Sequence, residues 1–480
     1  MKRALLFLLM LTSGAAVAQN ASPAASAQAG ASRTSQTIVL SEPLTLQQAL
    51  ARALKVNNTV ERSRADVGAA DANRKFLLSA VLPRVNLTAG TIRNSKEVSF
   101  GSPPNQSLVL PAFDWNYRIV LSQPVYAGRR ELRAYEQAKI GVAIAQQAVL
   151  GTEDAVLLRV ASTYLAMVNA RALIEVEQKN IELAERRRVQ ADAFYKAGEV
   201  TRVDVLRAET AIKAAQRLLA VAQQSWSTAE GRLRADLDID GPIAVVSPDR
   251  AMPPVPDEAQ LIDGAAKSRP DVVQAVENLR AAELEVKKQR GFYLPLVTLD
   301  AGWVNQKVTF PTNRYTYGAL RFTVPIWQSG EVEARVAQAK DRELQARLTL
   351  EDAKIAVRED VRKALVDLHE AETSLGLARE QLAAAEAEYQ QAFELYRAQE
   401  STSLDLSSSE TSLADARRSV AEETLNRDLS NLRVWYAAGL VKDALGVSAS
   451  TTPRSAALPE VSEPESTKPQ AAITAANENQ

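Results

Sequence analysis

The feature that most constrains this chain is a duplication. Residues 45–90 match 257–302 at a constant offset of 212. Thr45-x-x-Gln48 corresponds to Asp257-x-x-Gln260, both reading as capped helix starts, and Leu82-Pro83 corresponds to Leu294-Pro295. The offset then becomes 201 and holds for about 90 residues. Pro124 pairs with Pro325, Tyr195 with Tyr396, Thr201 with Thr402, Asp204 with Asp405 and Glu209 with Glu410. An insertion of 11 residues in the first half, around Gly101-Ser102-Pro103-Pro104-Asn105, explains the change and reads as a loop.

Each repeat has the same order of predicted elements. A helix comes first, at 45–82 and 257–293. Two extended segments follow, at 84–100 with 113–126 and at 296–310 with 315–327. Next come a very long helix, 129–196 and 330–397, a break, and a further helix, 202–237 and 403–437. At 1.5 Å per residue the long helices run to roughly 100 Å, deeper than any globular core. They must therefore pack lengthwise. Apolar spacing of three and four agrees, through Leu158, Ala161, Leu165, Val168 and Ala172, and through Val361, Leu365, Leu368, Glu372 and Leu375. Val149, Val156 and Val160 lie off the first stripe, so more than one face is buried, as in a ring of helices.

The extended segments alternate with period two. Val85, Leu87 and Ala89 point one way and Asn86 and Thr88 the other; Val297, Leu299 and Ala301 alternate with Thr298 and Asp300. Aromatic residues (Trp115, Tyr117, Tyr126, Trp303, Tyr315, Tyr317, Trp327) gather near the segment ends. Tilted membrane strands have this length, alternation and girdle; a soluble four-stranded sheet is the alternative. Four strands cannot close a barrel, and an open edge cannot face lipid. If these are membrane strands the chain must oligomerise, and three copies supply about twelve strands.

Composition excludes several function classes. The chain has no cysteine and one histidine, His369, which rules out thiol chemistry, thiolate metal sites and a histidine relay. No nucleophile–base–orienter cluster is visible, so no enzyme, cofactor or metal is expected. A formal charge of −1 gives no reason to expect nucleic acid as a partner. Lys2 and Arg3, the apolar run Leu5 to Leu11 and Ala16-Val17-Ala18 read as a signal peptide over 1–18. Residues 19–43 read as a flexible segment, 44–243 as the first repeat, 244–256 as a linker, 257–445 as the second repeat and 446–480 as a disordered tail. Asp236-x-Asp238-x-Asp240-Gly241 begins like a calcium loop, but Ser247 stands where the closing glutamate belongs, so a helix end and turn explain it better. Arg186-Arg187-Arg188 reads as a solvated helix face. Asp204 and Asp405, three residues after threonines, read both as helix caps and as a ring of charge.

The chain resembles the TolC-like outer-membrane factors over about 44–445. The resemblance rests on Leu44-Thr45-Leu46, on the Leu-Pro joints, on Gln123-Pro124-Val125-Tyr126-Ala127-Gly128 and Val324-Pro325-Ile326-Trp327-Gln328-Ser329-Gly330, and on the tips Tyr195 through Leu206 and Tyr396 through Leu406. It implies a mainly α fold with a small β part: a long coiled-coil helical barrel plus four strands per protomer of a trimeric twelve-stranded transmembrane β-barrel. It implies an outer-membrane efflux or type I secretion duct, with the helices in the periplasm. The implied partners are two further copies, membrane lipid, a periplasmic adaptor and an inner-membrane RND or ABC transporter. The family's gate tyrosine and first gate aspartate fall on Tyr396 and Asp405, whose repeat counterparts are Tyr195 and Asp204. Its gate arginine falls on Ser401 and its second aspartate on Ser408, so the gate is expected to be looser here, or to be held by something else such as Arg202 or Arg207. The tips Gly198, Glu199, Val200, Thr201 and Gln399, Glu400, Ser401, Thr402 are the expected adaptor contacts, with the tip glycine kept only in the first. A soluble coiled-coil scaffold is the competing class, and an adaptor would carry one hairpin rather than two.

Overall fold

The computed structural model describes residues 43–102, 106–247, 252–308, 312–398 and 400–447. The expected signal peptide, most of the flexible segment, Pro103 to Asn105 of the insertion, part of the linker, Gln399 and nearly all of the tail lie outside the described residues.

The first repeat runs α1 (Leu46–Val56), α2 (Asn58–Leu78), β1 (Arg84–Arg93), β2 (Val98–Phe100), β3 (Ser107–Leu110), β4 (Phe113–Ala127), α3 (Arg130–Ala197) and α4 (Arg202–Leu237). The second runs α5 (Glu258–Ser268), α6 (Pro270–Arg290), β5 (Leu296–Gln306), β6 (Arg314–Thr323), α7 (Glu331–Arg397) and α8 (Ser403–Ala437), followed by α9 (Val441–Ala444). The opening helix of each repeat is in fact two. Asn57 leaves the helical region (ψ 121°) and caps α2 by accepting from Thr59 N–H at 3.0 Å. Arg269 does so because it precedes Pro270, whose ring disfavours helical backbone on its N-terminal side. Thr45 closes a capping box with Gln48, whereas Asp257 makes no side-chain cap bond. The insertion is not plain loop: β2 and β3 pair as a small separate ribbon beyond β1 and β4. The strand expected to reach 327 ends at Thr323.

The helices form four columns. α4 and α2 both pack along α3, at its tip-side and sheet-side halves; α8 and α6 likewise both touch α3 and α7. Columns therefore run in the order α4/α2, α3, α8/α6, α7. The sheet runs β1-β4-β5-β6, with every pairing antiparallel and β1 and β6 as unpaired edges. At the joint between the layers two successive residues take left-handed backbone, Gly128-Arg129 in one repeat and Ser329-Gly330 in the other. Gly128 is required twice over, because a Cβ there would lie 2.2 Å from the Gly291 carbonyl oxygen.

The core follows seven-residue spacing. On α7 the buried positions include Val357, Val361, Ala364, Leu368, Ala371, Leu375 and Ala378. Leu365 is half-buried and packs against this core, whereas Glu372 is exposed and lies off the seam. Alanines hold the positions that sequence reading gave to larger residues, and they let α7 and α8 approach closely. The described α3 carries one stretch long and apolar enough to cross a membrane, but it packs lengthwise on other helices.

At the base of the first repeat, buried Lys442 meets Glu153 Oε2 at 2.6 Å and Asp154 at 3.8 Å, and Arg64 meets Glu153 Oε1 at 3.1 Å. The second repeat is tied at Arg269, which meets Asp271 at 2.8 Å and Asp360 at 2.9 Å. Buried Tyr164 joins the chain ends of the first repeat, donating to the Leu44 carbonyl at 2.8 Å.

Candidate functional site

Two regions can do something: the sheet and the helical tips. Register sorts the strand residues onto two faces. Val85, Leu121, Ala301 and Gly318 form one row, and Leu87, Ile119, Trp303 and Thr316 the next; Leu299 with Leu320 and Val297 with Phe322 extend the same face. Val85, Leu87, Ile119, Leu121, Leu299, Trp303, Leu320 and Phe322 are all exposed. The other face carries Thr88, Arg118 and Val304 in one row and Arg84, Ser122, Asp300 and Ala319 in another. There the Ser122 hydroxyl donates to Asp300 at 2.6 Å and Arg321 lies 3.5 Å from the same carboxylate. A sheet with one uncovered apolar face, one polar face and two free edges cannot rest in water as it stands.

At the tips each hairpin turns over one short loop. Gly198 ends α3 in left-handed backbone (φ 83°), and the Glu199 N–H reaches back to the Phe194 carbonyl at 2.9 Å. Glu400 repeats that bond to Leu395 at 2.9 Å. The following helices start on matched capping boxes. Thr201 N–H donates to Asp204 at 3.1 Å, and Thr402 N–H to Asp405 at 3.1 Å. Both threonine hydroxyls donate to the same carboxylates, at 2.9 and 2.6 Å.

The two tips then diverge. The Ser403 hydroxyl also donates to Asp204, and this bond, with the Thr201 bonds and Arg207 at 3.5 Å, holds the Asp204 carboxyl below its ordinary value. Asp405 is exposed and, among the described residues, bonds only within its own turn, to Thr402 and Ser401, which also lowers it. Tyr396 is buried (6% exposed) against Phe194, with ring centroids 5.8 Å apart, whereas Tyr195 is 44% exposed. Burial raises the Tyr396 hydroxyl. Val200 and Ser401 are half-buried, and Gly198, Glu199, Thr201, Glu400 and Thr402 are exposed.

Sequence reading missed the strongest contact here. Arg187 is buried and donates from Nη1 to Glu410 Oε2 at 2.7 Å and from Nη2 to the Ser403 carbonyl at 2.9 Å. Further from the tip the polarity reverses: Arg418 donates to Glu177 Oε1 at 3.1 Å and to Asp415 at 2.9 Å. Burial raises the Glu410 carboxyl even beside Arg187. So Arg187 is no solvated face residue, and the hairpins are joined by Arg187 rather than by Arg207, which serves its own helix, or Arg202, which has no carboxylate partner among the described residues. The Asp236-x-Asp238-x-Asp240 run forms a helix end, with Asp236 on Arg159 at 2.8 Å and Asp238 ending α4.

The arrangement suits passage rather than chemistry, with a bilayer-like sheet at one end and a bundle of long helices leading to charged tips. The model of the outer membrane efflux protein family matches residues 46–237 and 261–440. BepC of Brucella suis, an outer membrane efflux protein, is 24% identical over 414 residues, covering 84% of this chain and 87% of its own. The fold matches the CmeC outer membrane channel of Campylobacter jejuni (TM-score 0.70, 18% identity, 82% of this chain and 86% of that one). It also matches the open state of the MtrE outer membrane channel of Neisseria gonorrhoeae (TM-score 0.70, 19% identity, 82% and 89%). The chain belongs to the outer membrane efflux protein family, as a channel protein of the outer membrane whose helices form a tunnel in the periplasm.

Proposed function

We propose that three copies of this chain close into one passive exit duct of a tripartite efflux pump. The observation that carries this reading is the four-stranded sheet with an exposed apolar face and free edges at β1 and β6. Head-to-tail pairing of β6 with β1 of the next copy removes every edge, and about twelve strands leave room for a passage. The helix columns run in the same order as the strands, so the same rotation brings α7 of one copy against α4 and α2 of the next. α7 leaves Leu344, Ile355, Val366 and Leu377 exposed at eleven-residue spacing, a straight stripe that fits a neighbouring helix.

In this duct Asp405, Tyr396, Asp204 and Tyr195 surround the tip aperture. The loops Gly198 to Thr201 and Gln399 to Thr402 receive a periplasmic adaptor, which couples the duct to an inner-membrane RND or ABC transporter. The protomer needs no catalytic group, cofactor or metal, because the transporter supplies the energy. The two repeats are the packing units, behind a cleaved leader over 1–18.

A strain lacking the gene tests this. A rise in drug and detergent sensitivity, restored by the intact gene, supports efflux. Unchanged sensitivity together with a protein missing from the culture supernatant makes the chain a type I secretion duct instead.

A further inference from the structure

The apolar face of the sheet changes character at one end. Along β6, Phe322, Leu320, Gly318, Thr316 and Arg314 share this face, with Phe322 at the helix end and Arg314 at the far end. The register puts Arg93, at the far end of β1, opposite Phe113 on the same face, and Asn305 opposite Arg314. Lys307 follows Asn305 by the strand period of two, so it falls on this face as well. Its N–H donates to the Trp115 carbonyl at 3.0 Å, and its ammonium lies 5.9 Å from the centre of the Phe113 ring. Half-exposed Phe113 is thus flanked by a cation on each side, and Arg314 completes the row.

The distribution is one-sided. Among their described residues, β1, β4, β5 and β6 put no carboxylate on this face and no cation at its helix end. Asp114 and Asp300 lie on the opposite face. Glu97, close to the row, accepts from the Ala112 N–H at 3.3 Å. Arg93, Lys307 and Arg314 have no ion-pair partner among the described residues, and both arginines are exposed. From Phe322 to Arg314 the strand rises about 27 Å, or roughly 20 Å of height at the usual barrel tilt, close to the apolar band of an outer-membrane barrel. The helices lie in the periplasm, so the cations stand at the level of the outer headgroups.

We propose that Arg93, Lys307 and Arg314 form a headgroup site for a phosphate-bearing lipid of the outer leaflet, with the first methylenes of the lipid against Phe113. Guanidinium forks bind phosphate oxygens in pairs, and an ammonium adds a point charge. A lipid is the occupant, and not a free anion, because the row is continuous with the apolar face. Trp115 and Tyr117, with ring centroids 5.4 Å apart, and Trp303 lie below it on that face, at the depth where aromatic rings meet headgroups. This rests on the reading that the apolar face is turned to the bilayer. The site fixes the height of the barrel in the membrane from its outer side.

The test uses the full-length protein in detergent, with native mass spectrometry counting bound lipid. Lipid A with two phosphates is compared with lipid A stripped of phosphate. The unmodified protein should hold the phosphorylated form about tenfold more tightly. Arg93→Gln, Lys307→Gln and Arg314→Gln together should abolish this preference, and each alone should lower it severalfold, which serves if the triple variant does not fold. Arg118→Gln, on the opposite face, should keep the preference whole. The inference is overturned if the unmodified protein shows no preference, if the folded glutamine variants retain it, or if Arg118→Gln loses it equally. It is also overturned if excess inorganic phosphate displaces the lipid, which makes the site one for the free anion. An unmodified protein that binds neither form overturns the reading of the apolar face itself, and the inference with it.

Discussion

The two hairpins share a backbone and differ in what they hold. Both turn with a bond from a glutamate N–H back to the preceding helix, and both restart on a Thr-x-x-Asp box. Yet Asp204 is shared with the other hairpin and Asp405 is not, and Tyr396 is buried while Tyr195 is exposed. Arg187 reaches across the protomer, while its repeat counterpart Glu388 faces outward. The lesson is that duplication has kept what makes helices and turns, and divergence has acted on the charges between them.

The roots should show the largest difference. Lys442→Met leaves Glu153 buried without its ammonium, and losing one member of a buried pair costs about 3–5 kcal/mol. Arg269→Met in the second repeat removes pairs to half-exposed carboxylates and should cost about 1 kcal/mol. Denaturant melts of the two variants read the contrast, and equal losses would break it.

Next come the seams. Arg187→Ala strands Glu410 and the Ser403 carbonyl and should cost about 2 kcal/mol. Glu388→Ala, at an exposed site, should stay within about 0.5 kcal/mol. The same melts separate them.

The caps should show almost no difference. Thr201→Ala and Thr402→Ala each remove one cap and should each cost about 1 kcal/mol of local stability. Hydrogen exchange at the starts of α4 and α8 measures this, and a clear inequality would mean that one tip leans on the other.

Acid should distinguish the groups by sign. Glu410 is raised above 4.5 by burial, facing Arg187 on α3 with Tyr389 and Tyr396 nearby on α7. Its contribution is fully present below 4.5 and is lost as pH rises through the raised value. Asp204 and Asp405 are lowered from 3.8, so theirs is present above 3.8 and is lost as pH falls through the depressed values. On acidification the cross-hairpin pair therefore loses its charge first and the caps last. In stability-versus-pH curves, Glu410→Gln should flatten the region above 4.5, while Asp204→Asn and Asp405→Asn flatten the region below 3.8.

Much of this is legible in the sequence, because its signals are local and repeated. The long helices begin and end within a residue of where the Gly and Thr-x-x-Asp signals put them, and alternation in Val85 to Ala89 gives the sheet its two faces. The break at Asn57 was hidden because asparagine interrupts the helix without a proline. On the α7 seam Val361, Leu368 and Leu375 are legible, but Ala364, Ala371 and Ala378 carry little apolar signal although close packing favours them. The Arg187–Glu410 pair spans 223 residues, so no local pattern could show it, and Arg187 in a run of three arginines looked solvated.

The central claim is that the free edges of the sheet are closed by copies of the same chain. Native mass spectrometry of the full-length protein released from mild detergent tests it most directly. The expected mass is that of three chains. A monomer under conditions where the helices stay folded would contradict it, because the apolar face and both sheet edges would then have no partner.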